Sequence, residues 1–167
     1  MAEAGKWSTW KIVIGAIVVV IIVIQFIPVN KTNPPVQSEV PAPEYVKPIL
    51  ERACYNCHSN ETNWPWYSAV APVSWLVAHD VNEAREHLNL STWDEYRSEV
   101  QKDKVAAMWE MVDIGEMPLW YYQIMHPESE LSEEDKNAFR KWTDQVYAES
   151  GDEESTESEV DHSEHDH

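Results

Sequence analysis

Apolar positions are spread very unevenly along this chain. From Ile12 to Ile27 nearly every residue is aliphatic, and Pro28 ends the run. With Trp10 before it and Val29 after it, the segment approaches the ~20 apolar residues that a bilayer-spanning helix needs. Trp7 and Trp10 stand where interfacial aromatics belong, and Lys6 and Lys11 precede the run. The pattern therefore predicts one transmembrane helix over 12–29, with residues 1–11 as a cytoplasmic stub. A cleaved signal peptide is the rival reading, but Gln25-Phe26-Ile27-Pro28-Val29-Asn30 offers no small-residue cleavage pattern. Residues 30–43 are rich in proline and predict an extended, semi-rigid spacer that lifts the downstream domain off the membrane.

Beyond the spacer the apolar positions recur at helical spacing. Glu44 to Cys54 reads as a short helix with Tyr45, Ile49 and Leu50 on one side. Val73 to Leu88 is a second, its apolar Trp75, Leu76, Val81 and Leu88 set against Asp80, Glu83, Arg85 and Glu86. Thr92 to Ile114 forms one long helix or two, with Trp93, Tyr96, Val100, Met108, Trp109 and Val112 inward. Ser132 opens a last helix, with Glu133, Glu134 and Asp135 in its first turn and Phe139, Trp142 and Val146 as its buried stripe. No alternating strand pattern of useful length and no internal repeat is present. The expected fold class is all-α, with an interior rich in aromatics: the chain holds nine Trp and seven Tyr, enough to line a large flat ligand or simply to build a small core.

Charge changes the picture at the C-terminus. The net charge is −18, and residues 149–167 hold nine acids and no Lys or Arg, which is half of it. Residues 150–167 are acidic, Ser-rich and nearly free of apolar side chains, a composition that predicts disorder. Its histidines, His162, His165 and His167, make weak metal binding conceivable; a solvated tail is the plainer reading. Both halves of the chain lack the basic footprint of nucleic-acid binding, so nucleic acid is excluded as a partner and a basic protein surface is favoured.

Only two cysteines are present, and both lie in Cys54-Tyr55-Asn56-Cys57-His58. Three-residue spacing on a helical turn places both thiols on one face, where they match the two vinyl groups at one haem edge. His58 is the next residue and can reach the iron. Cys-x-x-Cys-His is the attachment signature of a covalent c-type haem. A redox Cys-x-x-Cys would sit beside a strand in a βαβ unit, and a zinc site would need further ligands at suitable spacing; neither context is present.

The run from Cys54 through Trp64-Pro65-Trp66-Tyr67, with Ala71-Pro72-Val73-Ser74-Trp75-Leu76, Gly115-Glu116-Met117-Pro118 and His126-Pro127, resembles the bacterial haem-binding domain family of cytochrome c-like proteins. The resemblance covers about Glu44 to Tyr147. It implies a cytochrome c-like helical domain over 44–149 around one covalent haem c, exported across the cytoplasmic membrane. Together with the anchor, it implies a single-pass protein of the bacterial inner membrane whose haem domain faces the periplasm.

The iron's second axial position is expected to be filled by Met117. Gly115 breaks the preceding helix and Pro118 biases Met117 toward an extended backbone. Such a loop holds a methionine sulfur toward iron in class I cytochromes c, which this order of elements resembles; packing in a core is the other fate of a methionine. Met125 and His126 are the competing ligands, and His126 would give a bis-His site. His79 and His87 read as solvated helix residues. Trp64, Trp66, Tyr67 and Trp75 are either walls of the haem site or ordinary core aromatics.

The function these features imply is a one-electron carrier, with His58 and Met117 setting the potential and with membrane redox proteins bearing a basic docking surface as partners. A peroxidase-like haem enzyme, or a haem-based sensor, needs an open iron position. The 1–11 stub is too short to be a sensor's output domain.

Overall fold

The computed structural model describes residues 4–160, with side chains for 9–148. The described residues form seven α-helices: α1 Ala4–Ile24, α2 Lys47–Ala53, α3 Tyr55–His58, α4 Val73–His87, α5 Ser98–Asp113, α6 Trp120–Met125 and α7 Glu133–Val160. Short 3-10 turns lie at Trp66–Ala69, Trp93–Glu95 and Pro127–Ser129. Among the described residues the extended backbone pairs only at an isolated bridge between Ser38 and Thr92. The all-α expectation is met.

The expected transmembrane helix is not. No helix among the described residues is long and apolar enough to cross a membrane. The apolar run continues to Ile27, but the helix stops at Ile24. Its first turns, Ala4 to Lys11, carry Lys6, Ser8, Thr9 and Lys11, so the apolar helical part runs from Ile12 to Ile24. At 1.5 Å per residue those thirteen residues reach about 20 Å, short of the ~30 Å hydrocarbon core. Past Ile24 the chain turns away. Gln25 bonds both backbone groups of Ala71, its Nε2 donating to the carbonyl at 3.2 Å and its Oε1 accepting from the N–H at 2.9 Å. The anchor over 12–29 and the single-pass inner-membrane placement built on it are therefore withdrawn.

The proline-rich segment holds no helix and forms a strap lying on the domain. Val40 and Ala42 are buried in the main core. The backbone N–H groups of Gln37 and Ser38 donate to the Ser91 carbonyl at 2.9 and 3.2 Å. Lys31 reaches the Ser68 carbonyl, Asn33 the Thr62 carbonyl, and Asn60 donates to the carbonyl of Pro35.

The core joins this strap to α2, α5 and α7. Val46, Ile49, Leu50, Leu90, Trp93, Val105, Met108, Phe139 and Trp142 form one buried cluster. Ile49, Leu50, Trp93, Met108, Phe139 and Trp142 are inward positions of the helical periodicity; Val46, Val105 and Leu90, the last from the turn after α4, join them. Two helix ends are built by local rules. Ser132 and Asp135 form a reciprocal capping box at the start of α7: Ser132 N–H donates to Asp135 Oδ2 at 2.9 Å and Asp135 N–H to Ser132 Oγ at 3.2 Å. Arg52 on α2 adds a 2.6 Å ion pair to the same carboxylate. α5 ends in a Schellman turn, with Gly115 at φ 77° and the N–H groups of Gly115 and Glu116 bonded to Val112 and Met111 carbonyls. The side chains of the acidic tail and its histidines lie outside the described residues.

Candidate haem site

Cys54 closes α2 and Cys57 sits inside α3, so the two thiols share one helical turn. The N–H groups of Cys57 and His58 both donate to the Cys54 carbonyl, at 3.1 and 2.9 Å. Both cysteines are free. Burial pushes the Cys54 thiol up to about 12 and the Cys57 thiol up to about 11. Redox and nucleophilic cysteines need the opposite shift. Among the described residues no group of three or more His, Cys, Asp or Glu side chains is placed to hold a metal ion, so a zinc reading finds no ligand set.

His58 is held in one orientation. Its Nδ1 lies 3.1 Å from the carbonyl oxygens of both Ala84 and Leu88. Two acceptors require a proton on Nδ1, and burial lowers the imidazole's pKa and so favours the neutral form. The lone pair is then on Nε2. This is the arrangement that fixes tautomer and ring orientation in metal-binding histidines. It arises because α4 packs against α3 and delivers the last carbonyls of its C-terminal turn. The His58 carbonyl accepts from Leu90 N–H at 2.7 Å, which fixes the backbone as well.

Three tyrosines and an aspartate close around this turn. Asn56, the second variable residue of the motif, donates to the Tyr122 hydroxyl at 2.8 Å. Tyr121 donates to Asp80 Oδ2 at 3.0 Å. Tyr67 lies 2.7 Å from His126 Nε2, and His126 Nδ1 lies 2.9 Å from Glu128. Because the carboxylate accepts from Nδ1–H, the neutral ring has its lone pair on Nε2, which accepts while Tyr67 donates. Burial is the largest cause of the raised pKa of Tyr67, Tyr121 and Tyr122, and the bond to Asp80 adds to it at Tyr121.

The expected site residues do not all meet. Cys54, Cys57 and His58 come together. Trp64 is half-buried and its indole N–H donates to Asn33 of the strap at 3.2 Å. Trp66 is exposed and meets Tyr67 edge-on. Trp75 is half-buried, and its N–H has no acceptor among the described residues; nine residues before Ala84, it stands about half a turn round α4 from the His58 anchor. Met117 is half-buried and its N–H bonds the Met111 carbonyl at 3.1 Å. Met125 is exposed, and both ring nitrogens of His126 are engaged. Asn56, Asp80, Tyr121 and Tyr122 were missed from the sequence. Only the double tyrosine after Met117-Pro118, polar tips on apolar rings beside the expected ligand, hinted at them.

An all-α domain carrying Cys-x-x-Cys-His on one turn, with a half-buried histidine presenting Nε2, defines a haem-binding class of protein. The sequence matches the family model described as Haem-binding domain over residues 19–145, and the chain belongs to that family. No curated protein and no solved structure matches it.

Proposed function

We propose that this haem-binding domain is a c-type cytochrome that carries one electron at a time. The observation that carries the reading is the double carbonyl anchor on His58 Nδ1, which leaves Nε2 for iron. Cys54 and Cys57 would hold the haem as thioethers, and the paired thiols on one turn fit that role. Haem supplies, when bound, an iron that alternates between ferrous and ferric states. Met117 is the favoured second axial ligand, because Met125 is exposed and His126 has both nitrogens in hydrogen bonds. Burial of the site and the neutral, oriented imidazole would set the potential. The net charge of −18 suits redox partners with a basic docking surface, with exchange that slows as salt rises.

Two measurements on purified holoprotein test this. Haem should resist acid-acetone extraction, and extraction of free haem would end the covalent reading. The Met117→Ala variant should lose the low-spin, six-coordinate spectrum and gain rapid CO binding. An unchanged spectrum would remove Met117 from the site.

A further inference from the structure

We propose that α6 is a polar clasp, with Tyr121, Tyr122 and His126 as positioning residues that hold the Met117 loop closed over the haem site. The inference rests on the Met117 reading above and extends it to residues that are not themselves proposed ligands.

Met117 is fixed from both sides. On its N-terminal side the Schellman turn of α5 continues into it, since Met117 N–H bonds the Met111 carbonyl at 3.1 Å. On its C-terminal side Pro118 and Leu119 lead straight into α6, Trp120–Met125. That short helix makes almost no apolar contribution to the fold. None of its residues is buried, and Trp120, Ile124 and Met125 are exposed. What ties it down is polar and goes to three separate elements. Tyr121 donates to Asp80 on α4, Tyr122 accepts from Asn56 within the haem motif, and His126 accepts from Tyr67 of the 3-10 turn. The rings of Tyr122 and His126 stack at 4.3 Å and 15°, so the last two ties act together. Burial and the Asp80 bond push the Tyr121 phenol to about 12, so it remains a donor across the working pH range.

An element held by a few hydrogen bonds, with little buried apolar area, opens at low free-energy cost. Opening α6 would carry the Met117 sulfur with it. The clasp therefore governs how often the second axial position is closed, and loosening it should convert a pure carrier into a protein that binds small ligands at iron.

The test uses the full holoprotein, with CO association to the ferrous form by flash photolysis as the readout. Haem content and far-ultraviolet circular dichroism serve as controls. The Tyr121→Phe/Tyr122→Phe double variant keeps both rings and removes the two phenolic oxygens. It should bind CO roughly tenfold faster, the factor that about 1.4 kcal/mol of lost closing free energy gives. Asp80→Ala approaches one tie from the other partner. It should match Tyr121→Phe alone and add nothing to it. Met117→Ala separates the two layers of reasoning. If Met117→Ala binds CO fast while both clasp variants bind it at the wild-type rate, the clasp is wrong and the ligand stands. If Met117→Ala itself binds CO no faster than wild type, the ligand assignment fails and takes the clasp with it.

Discussion

Arg85 offers a demanding test of how the haem motif is held. Its guanidinium makes four hydrogen bonds: Nε to the Ser59 carbonyl at 2.8 Å, Nη1 to the Thr32 carbonyl at 2.7 Å, and Nη2 to Asn33 Oδ1 at 3.1 Å and Thr62 Oγ1 at 2.8 Å. It thus pins the strap to the loop after His58. The bonds to Ser59 and Thr62 are partly buried and should contribute about 1–1.5 kcal/mol each; the two toward solvent should contribute about 0.5 kcal/mol each. Arg85→Ala should therefore cost about 3 kcal/mol, or roughly 6–12 °C in melting temperature for a chain of this size. Arg85→Lys keeps the charge but replaces a planar fork with one ammonium, so about half the loss should remain. Thermal and urea denaturation of the holoprotein measure the cost. Hydrogen exchange at Gln37 and Ser38, whose amides bond Ser91, reports the strap. A loss under about 1 kcal/mol, or unchanged exchange at those two amides, would refute the view that Arg85 joins strap to motif.

The packing and the caps give two further expected outcomes. Burial raises the Asp135 carboxyl, but hydrogen bonds from Ser132 and the charge of Arg52 outweigh it and hold the group below the usual carboxylate range. Its contribution is thus present above the unfolded-state value and fades as pH falls through the folded one; Asp135→Asn should cost about 1–2 kcal/mol at pH 7 and progressively less as pH drops below the ordinary carboxylate range, read from urea midpoints along a pH series. Leu50 is fully buried at the centre of the core, so Leu50→Ala should cost about 3 kcal/mol in the same assay, and a cost below about 1 kcal/mol would mean that the cluster is not the stabilising core.

Much of the helical frame was legible because amphipathic periodicity records which side is buried. α4 begins at Val73, where its pattern starts, and ends one residue short of Leu88, and Ser132 caps α7 where the acidic first turn pointed. The stretch from Thr92 to Ile114 resolves into a 3-10 turn and α5, separated at Tyr96 and Arg97. α6 was illegible: Trp120-Tyr121-Tyr122-Gln123-Ile124-Met125 is apolar almost all round, so no stripe distinguishes it from a loop. The anchor misled for a related reason. Composition continues apolar to Ile27, but a tertiary bond from Gln25 to Ala71 and the missing N–H of Pro28 end the helix first. At the site, the motif gave Cys54, Cys57 and His58 directly. The carbonyls of Ala84 and Leu88, and the tyrosines around them, are long-range partners that spacing along a chain does not encode.

The strap matters most for where the domain begins. Proline content at 30–43 suggested a spacer, with folding starting at Glu44. The family match instead starts at residue 19, and the physics agrees. Val40 and Ala42 are buried, and the alternation of those two positions is the one local sign of an extended segment with an inner face. The route to the haem motif is short. His58 carbonyl accepts from Leu90 N–H, the next residue Ser91 accepts from Gln37 and Ser38, and Arg85 bonds both Ser59 and Thr32. A chain cut at Glu44 would expose the core under Val40 and Ala42, and would leave Arg85 without two of its four partners, Thr32 and Asn33. The strap is therefore part of what holds His58 in place, and the haem-binding unit includes it.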